Sequence, residues 1–495
     1  MEEKINKFRE MIKEKKIIDS MLALLQWDLE TQAPKGGYKL ISEMIGELSL
    51  KSYNLTTSKA FLEMLKELKK NEEKLDDIIK REIELLEEEV EKIKVIPSEE
   101  YKMYSELTAK AQGIWEIARE NNDFESFAPI LEQIFNFNRK FIEYRGIKED
   151  VYSEILNDYE KGMNVKKLDN FFAELKKEIV PLLKEVNKNK RDFQKKVKFE
   201  VSEYNQKLFS KEILEYIGFD LERGVLSESA HPFTLTVNKD DVRLTTRYLK
   251  DFPFSSVFST IHEGGHGIYE QGVDEILKDT ILSDGASMGI HESQSRFYEN
   301  IIGRSKEFWF GILEKSKFKY SELSKLTLEE IYKGINEVSP SLIRVEADEL
   351  TYSLHIMIRY EIEKGILSRE YLVKDLPRVW NEKMYEYLGV VPSTDSEGVL
   401  QDVHWSCGLI GYFPSYALGN VYSLQILNAM KKDINIEGTL ERGELKRIKE
   451  WLREKIHRYG KLKTPKEIMV SVTGEELNPE YYIEYLKEKY KNIYN

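Results

Sequence analysis

The stretch 253–266 reads PFSSVFSTIHEGGH, and its pattern predicts a helix that carries two histidines on one face. Proline is typical of a first helical turn. The apolar residues that follow recur at helical spacing, namely Phe254, Val257, Phe258 and Ile261. Residues four apart on a helix stand one above the other, so His262 and His266 can hold one cation. With Glu263 beside them, the pattern predicts the zinc site of a metal hydrolase.

Two glycines, Gly264 and Gly265, lie between the histidines. Each glycine inside a helix costs roughly 1 kcal/mol relative to alanine. We therefore expect another chain segment or a substrate to approach the helix closely at this point.

The third metal ligand must come from further along the chain, because a catalytic zinc ion usually has three protein ligands and one open position. The short zinc-peptidase spacing would place glycine at 269 and histidine at 272, where this chain has Tyr269 and Gly272. We predict Glu292 as the third ligand, since it begins another helix-like stretch downstream of His266. The alternatives are Glu270, Asp274, Glu275 and His291.

The pentapeptide His262-Glu263-Gly264-Gly265-His266 belongs to a series of six motifs in fixed order. The other five are His231-Pro232-Phe233, Asp241-Val242-Arg243-Leu244-Thr245, His291-Glu292-Ser293, residues 343–348 (IRVEAD) and residues 398–405 (GVLQDVHW). This series resembles that of the thermostable (Taq-type) carboxypeptidases, peptidase family M32. Similar segments extend from Trp27-Asp28 to Thr473-Gly474-Glu475, so the resemblance covers nearly the whole chain. It implies a metal-dependent carboxypeptidase that is mainly helical and forms a homodimer.

The chemistry of such an enzyme assigns roles to further residues. Glu263 is the expected general base toward a metal-activated water. An enzyme that acts only at C-termini must recognise a carboxylate, and arginine does so through paired hydrogen bonds. Arg344 is the first candidate because of the motif resemblance. Arg243 is the second, since it lies in a predicted β-hairpin.

Other polar residues are candidates for supporting roles. The negative charge that develops on the carbonyl oxygen needs a hydrogen-bond donor, for which we consider His231, Tyr412 and Tyr416. Three residues of the last motif line the substrate pocket or orient a metal ligand, and the sequence leaves this choice open: Gln401, Asp402 and His404.

The expected architecture is mainly α, with one large helical domain over residues 1–495 and a deep active-site cleft that two lobes would flank. Only 12 prolines and 27 glycines interrupt the chain, which leaves long intervals for helices. The main strand signal is a hairpin near residues 231–248, where apolar residues alternate on either side of an Asn-Lys-Asp-Asp turn.

Composition indicates which classes of partner and which cellular location to expect. The net charge is -13 and no basic patch with interleaved aromatics occurs, which disfavours nucleic acid. No apolar run approaches the roughly 18 to 20 residues of a membrane span and no signal core is present, so we expect a cytoplasmic protein. Cys407 is the only cysteine, which excludes an intrachain disulfide. We expect it to be buried beside Trp405.

Two alternatives to the metallocarboxypeptidase are considered. One cuts a different bond, and the other is not an enzyme. A helical zinc oligoendopeptidase would share the metal motif but would cut internal bonds. A non-catalytic helical scaffold stabilised by zinc would have a fourth protein ligand and no use for Glu263. Co²⁺ or Mn²⁺ could occupy the same ligands as Zn²⁺.

Overall fold

The computed structural model describes residues 1–189, 192–229 and 231–494. Within these ranges the chain forms three strands, β1 (Gly224–Glu228), β2 (Thr234–Asn238) and β3 (Asp241–Thr246). A π-helix spans Phe297–Gly303. The α-helices of the described residues are α1 (Glu2–Thr31), α2 (Tyr38–Thr57), α3 (Lys59–Lys69), α4 (Asp77–Lys94), α5 (Ser98–Asn121), α6 (Phe124–Arg145), α7 (Val151–Tyr159), α8 (Val165–Lys188), α9 (Glu203–Ile217), α10 (Pro253–Gln271), α11 (Met288–Arg296), α12 (Lys306–Lys317), α13 (Leu328–Ile335), α14 (Glu349–Leu367), α15 (Leu376–Leu388), α16 (Pro414–Met430), α17 (Ile436–Glu441), α18 (Leu445–Lys455), α19 (Pro465–Thr473) and α20 (Glu480–Tyr494).

The mainly helical structure and the small sheet confirm the predicted fold class. The sheet has the strand order β1-β3-β2. β2 and β3 are antiparallel and form the predicted hairpin, with Thr234 opposite Leu244. β1 pairs with β3 in parallel and was not predicted, because its five residues are too few to show a clear alternation.

The chain divides into two compact units. The first comprises residues 1–93, 193–335 and 426–474, and the second comprises residues 94–192, 336–425 and 475–495. Each unit is therefore assembled from segments that are distant in sequence. The single domain over residues 1–495 stays a prediction.

In the first unit, helix α10 is the predicted helix of the pentapeptide. Its apolar residues are buried, and it packs against α9, α11 and β3. A Cβ at Gly264 would lie 2.7 Å from Ile217 of α9, and one at Gly265 would lie 2.8 Å from the Cα of Ser295 in α11. Both glycines thus permit the close helix approach that the sequence predicted.

In the second unit, helix α14 is buried along almost its whole length. The side chain of Asp348 caps its start by accepting hydrogen bonds from the backbone N–H groups of Leu350 and Thr351, both at 3.0 Å. The helix carries His355, Arg359 and Glu363 at intervals of four, which places them on one face.

Two expectations about surface and environment have different outcomes. Among the described residues, no helix is both long enough and apolar enough to cross a membrane. The expectation that Cys407 is buried is wrong, because it is exposed. It lies in a turn in which Trp405 and Ser406 occupy the buried positions.

Candidate functional site

The three residues predicted as metal ligands lie together in the first unit. Nitrogens of His262 and His266 and a carboxylate oxygen of Glu292 all lie within 4.8 Å of one another. Glu292 Oε2 is 3.5 Å from His266 Nε2 and 3.8 Å from His262 Nε2. α10 supplies both histidines and α11 supplies the carboxylate. Glu292 is buried in the middle of α11 rather than solvated at its start.

The spacing and chemistry of these donors suit a divalent metal ion. A tetrahedral ion with bonds of about 2.1 Å holds its ligand atoms about 3.4 Å apart, close to the distances above. Burial lowers the pKa of His266 to about 3, so its ring is neutral near pH 7 and keeps a lone pair for a metal. The residues present therefore fit the metal that the pentapeptide implies.

The residues considered as alternative third ligands have other partners. Asp274 and Glu275 form ion pairs with basic side chains. His291 and Glu270 belong to a hydrogen-bonded chain on the opposite side of the His266 ring.

Charged neighbours in α11 and in the π-helix hold the predicted ligands. Glu299, in the π-helix, lies with its Oε2 2.9 Å from His262 Nδ1. Arg296 Nε donates to Glu292 Oε1 at 2.7 Å, and its Nη1 donates to Glu299 Oε2 at 3.1 Å. Burial would raise the pKa of Glu292, but Arg296 and His262 hold that pKa well below its ordinary value. The Glu292 carboxylate is therefore ionised.

Glu263, the expected general base, is buried beside these ligands. The hydroxyl of Thr234 in β2 donates to Glu263 Oε2 at 2.6 Å, so the sheet orients the carboxylate. Burial raises the pKa of Glu263 above its ordinary value, against the opposing effects of His262 and Thr234. A carboxylate with a raised pKa is a stronger proton acceptor.

The second unit contains a buried group of charges around Asp402. Arg344 Nε and Nη2 donate to Asp402 Oδ1 at 3.0 and 2.8 Å, and its Nη1 donates to the Tyr352 hydroxyl at 3.1 Å. Arg359 Nε donates to Asp402 Oδ2 at 2.7 Å. Burial would raise the pKa of Asp402, but the two guanidinium groups hold it well below its usual range.

This group carries an excess positive charge. Burial, together with the nearby Arg344 guanidinium, lowers the pKa of His404 to about 3, so that imidazole is neutral near pH 7. Two guanidinium groups then face one carboxylate. A buried cation without a full counter-charge favours the binding of an anion.

Gln401 supports the two arginines. Its Oε1 accepts hydrogen bonds from the Arg344 backbone N–H and from Arg359 Nη2, both at 2.8 Å. Its Nε2 donates to backbone carbonyls, including that of Leu342 at 3.0 Å. In this conformation the amide holds the arginines and is itself fully engaged.

The two candidate tyrosines lie beside the same group. Tyr416 Oη is 3.2 Å from His404 Nε2, and Arg344 lies 5.1 Å from the centre of the Tyr416 ring. The rings of Tyr412 and Tyr416 are 5.3 Å apart, edge to face. The second unit thus brings together six residues that the sequence singled out: Arg344, Gln401, Asp402, His404, Tyr412 and Tyr416.

The remaining candidates, His231 and Arg243, lie in the first unit. Arg243 Nε and Nη2 donate to the two carboxylate oxygens of Asp241, each at 2.8 Å, so this arginine already has a paired counter-ion. His231 is exposed and lies three residues before β2, and its carbonyl accepts a hydrogen bond from the Ser229 hydroxyl.

Sequence reasoning missed the residues that hold these groups in place. Thr234 gave no local signal, because its contact with Glu263 forms only on folding. Arg296 had a signal, because it stands four residues after Glu292 at helical spacing. Arg359 had a detectable signal, because it is an arginine in an otherwise apolar helix pattern, spaced four residues from His355 and Glu363.

The fold and the donor set define a helical protein with a site suited to a divalent metal ion. The model of the Carboxypeptidase Taq (M32) metallopeptidase family matches residues 7–490. Carboxypeptidase 1 of Bacillus subtilis (strain 168) is 48% identical over 495 residues, with 98% of each chain covered. Thermostable carboxypeptidase 1 of Pyrococcus furiosus is 39% identical, with 94% of each chain covered. The crystal structure of the M32 carboxypeptidase from Deinococcus radiodurans R1 has a TM-score of 0.95 at 32% identity and covers 99% of each chain.

The chain therefore belongs to the Taq carboxypeptidase (M32) family of metallopeptidases. It is a metallocarboxypeptidase, a hydrolase that acts on peptide bonds, as the ordered motifs predicted.

Proposed function

We propose that this metallocarboxypeptidase is zinc-dependent and removes single residues from the free C-terminus of peptides, with Glu263 as general base. The observation that carries the proposal is the convergence of three ligand groups beside a buried glutamate that is not one of them. Two imidazoles, one carboxylate and an open position are the ligand pattern of a catalytic zinc site. Co²⁺ or Mn²⁺ could replace zinc at such ligands.

Zinc bound to His262, His266 and Glu292 would act as a Lewis acid toward the scissile carbonyl and the attacking water. Glu263 takes the proton from that water and then delivers it to the departing amine. Thr234 holds one oxygen of Glu263, which leaves Oε1 for this proton transfer. A structural zinc site would have no use for such a base, which disfavours the non-catalytic scaffold.

Arg344 is the residue that we propose for the substrate carboxylate. Among the described residues, Asp402 and Tyr352 engage three of its five N–H groups, so two are left for an incoming carboxylate. Arg243 is less suited because Asp241 already pairs with its guanidinium group. This carboxylate requirement distinguishes the proposal from an oligoendopeptidase.

We further propose that the donor to the developing oxyanion is one of His231, Tyr412 and Tyr416, each of which can supply a hydrogen at neutral pH. The protein is proposed to act as a homodimer, as the resemblance implies.

The exchange Glu263→Gln tests the general base. It keeps the shape of the side chain but removes the proton acceptor, so we expect kcat to fall by about 10²- to 10⁴-fold while bound zinc stays at the wild-type level. The matched control is Glu275→Gln, the same change at an exposed acid of the first unit, which should leave kcat unchanged. Wild-type turnover by the Glu263→Gln protein would contradict the assignment.

A further inference from the structure

Two residues that the sequence left as possible metal ligands lie behind His266 in the structure. His291 Nδ1 is 2.6 Å from His266 Nδ1. On the other side of its ring, His291 Nε2 is 2.6 Å from Glu270 Oε1. The three side chains form one continuous hydrogen-bonded chain within the first unit.

The proposed metal site determines which atom donates and which accepts in each of these hydrogen bonds. His266 Nε2 faces the Glu292 carboxylate and must be unprotonated to bind a metal, so the proton of the neutral ring is on Nδ1. Nδ1–H then donates to His291 Nδ1, which has to be unprotonated. The proton of His291 is therefore on Nε2 and is donated to Glu270. One set of tautomers satisfies every contact.

Glu270, the last residue of this hydrogen-bonded series, is fixed by the surrounding backbone. Glu270 is only 3% exposed, and its Oε1 also accepts a hydrogen bond from the backbone N–H of Gly285 at 3.2 Å. A Cβ at Gly285 would lie 2.6 Å from His291 Cδ2, so the glycine makes room for the imidazole ring. The Tyr269 ring packs on the same imidazole, with ring centres 5.1 Å apart.

The hydrogen bonds from His266 through His291 to Glu270 also connect the two helices that supply the ligands. Glu270 is four residues after His266 on α10, and His291 directly precedes Glu292 on α11. The other histidine ligand, His262, contacts a carboxylate directly, whereas His266 reaches its carboxylate through a second imidazole.

We propose that His291 and Glu270 are positioning residues that hold the His266 imidazole with Nε2 toward the metal. This inference rests on the metal site proposed above. Partners of this kind commonly change metal affinity by 10- to 100-fold. The effect therefore belongs to metal binding, and it is measurable without any peptide substrate.

The test measures the zinc dissociation constant by competition with a chelator. His291→Phe fills the space but cannot accept the His266 proton, so we expect affinity to fall by about 10- to 100-fold. His291→Asn leaves a smaller side chain but places an amide oxygen near the position of Nδ1, and should recover most of the loss. If His291 only filled space, the Phe variant would keep its zinc affinity and the smaller Asn variant would lose more of it.

A matched control is His457→Phe, the same exchange at another buried histidine that also packs on Tyr269. It removes a buried imidazole without touching a ligand and should leave zinc affinity near the wild-type value. Thermal unfolding of each metal-free variant separates loss of affinity from loss of folding.

Nitrogen-15 NMR of the zinc-loaded wild type gives a second readout that needs no variant to fold. We expect a protonated Nδ1 in His266 and a protonated Nε2 in His291. A wild type that binds no zinc would overturn both the proposed metal site and this inference. Zinc binding with unchanged affinity in His291→Phe, or with the opposite tautomers, would overturn the inference alone.

Discussion

At the scale of single residues, we propose that the excess positive charge beside Asp402 binds the free carboxylate of the substrate. In Arg344→Ala the remaining Arg359–Asp402 pair has no net charge, so the excess positive charge that attracts an anion is lost. We expect kcat/KM for free-acid peptides to fall on the order of 100-fold, about 3 kcal/mol, chiefly through KM. Steady-state kinetics on an N-blocked dipeptide measures this change.

The control for that exchange is Arg243→Ala. Asp241 already neutralises this arginine, so its loss should change kcat/KM far less. Equal losses in both variants, or a larger loss in the control, would transfer the carboxylate role to Arg243.

A second residue-scale prediction concerns Glu363 in α14. Its carboxylate is fully buried and accepts hydrogen bonds from neutral donors of Tyr152, Trp405 and Gly411 at 2.6, 2.8 and 2.9 Å. Burial raises the pKa of Glu363 to about 7, because these neutral donors only partly replace water. The folded protein therefore keeps a proton that the unfolded chain releases near the ordinary carboxyl pKa.

The sign of the pH effect follows from linkage. As pH rises from about 4.5 to 7, the unfolded state gains charge first, so Glu363 makes the folded state progressively less stable, on the order of 3 kcal/mol in all. Glu363→Gln does not titrate. Urea unfolding measures the free energy of unfolding of the wild type and of Glu363→Gln. We expect the wild-type value minus the variant value to be smaller at pH 8 than at pH 5. A difference that is constant or grows with pH would contradict this.

The residues of the metal site were predictable because a helix repeats every 3.6 residues. His262, Glu263 and His266 are therefore placed by local sequence alone. Glu292 was predicted from the helix-like stretch downstream of His266, and local sequence left Glu270, Asp274, Glu275 and His291 as alternatives. Thr234 was not predictable, because it acts through a partner that only the folded chain brings near. Arg296 and Arg359 stand at helical spacing from Glu292 and Glu363, a local signal that sequence reasoning missed.

At the scale of elements, the packing of α10 against α11 sets the distance between the histidines and Glu292. In Gly265→Ala the added Cβ would meet backbone atoms of Ser295 and Gln294 at 2.8 and 2.9 Å, which cannot move independently of α11. We expect a loss of about 1–3 kcal/mol in the free energy of unfolding, together with weaker zinc binding.

The matched control for this exchange is Gly46→Ala in α2. A Cβ there would have no atom within 4 Å, so alanine should stabilise the helix by about 0.5–1 kcal/mol. Calorimetry of the two variants should give shifts of opposite sign. A stabilised Gly265→Ala protein would show that the two helices are not tightly packed at this point.

The elements themselves were predictable to different degrees. α10 and the β2–β3 hairpin follow from patterns within about twenty residues. β1 did not follow, because its pairing with β3 is parallel and depends on the chain between them.

At the scale of the whole molecule, the helical class follows from the long intervals without proline or glycine. The division into two units does not, because each unit gathers three segments that are distant in sequence. No linker composition marks those boundaries, and long-range packing alone assigns each segment to its unit.

The proposed function requires that the enzyme removes residues only from a free C-terminus. The most direct measurement is mass spectrometry of an N-blocked peptide incubated with the zinc-loaded protein, beside the same peptide amidated at its C-terminus. We predict stepwise loss of C-terminal residues from the free acid and an intact amide. Internal fragments from both peptides would overturn the proposed carboxypeptidase activity and would indicate an endopeptidase.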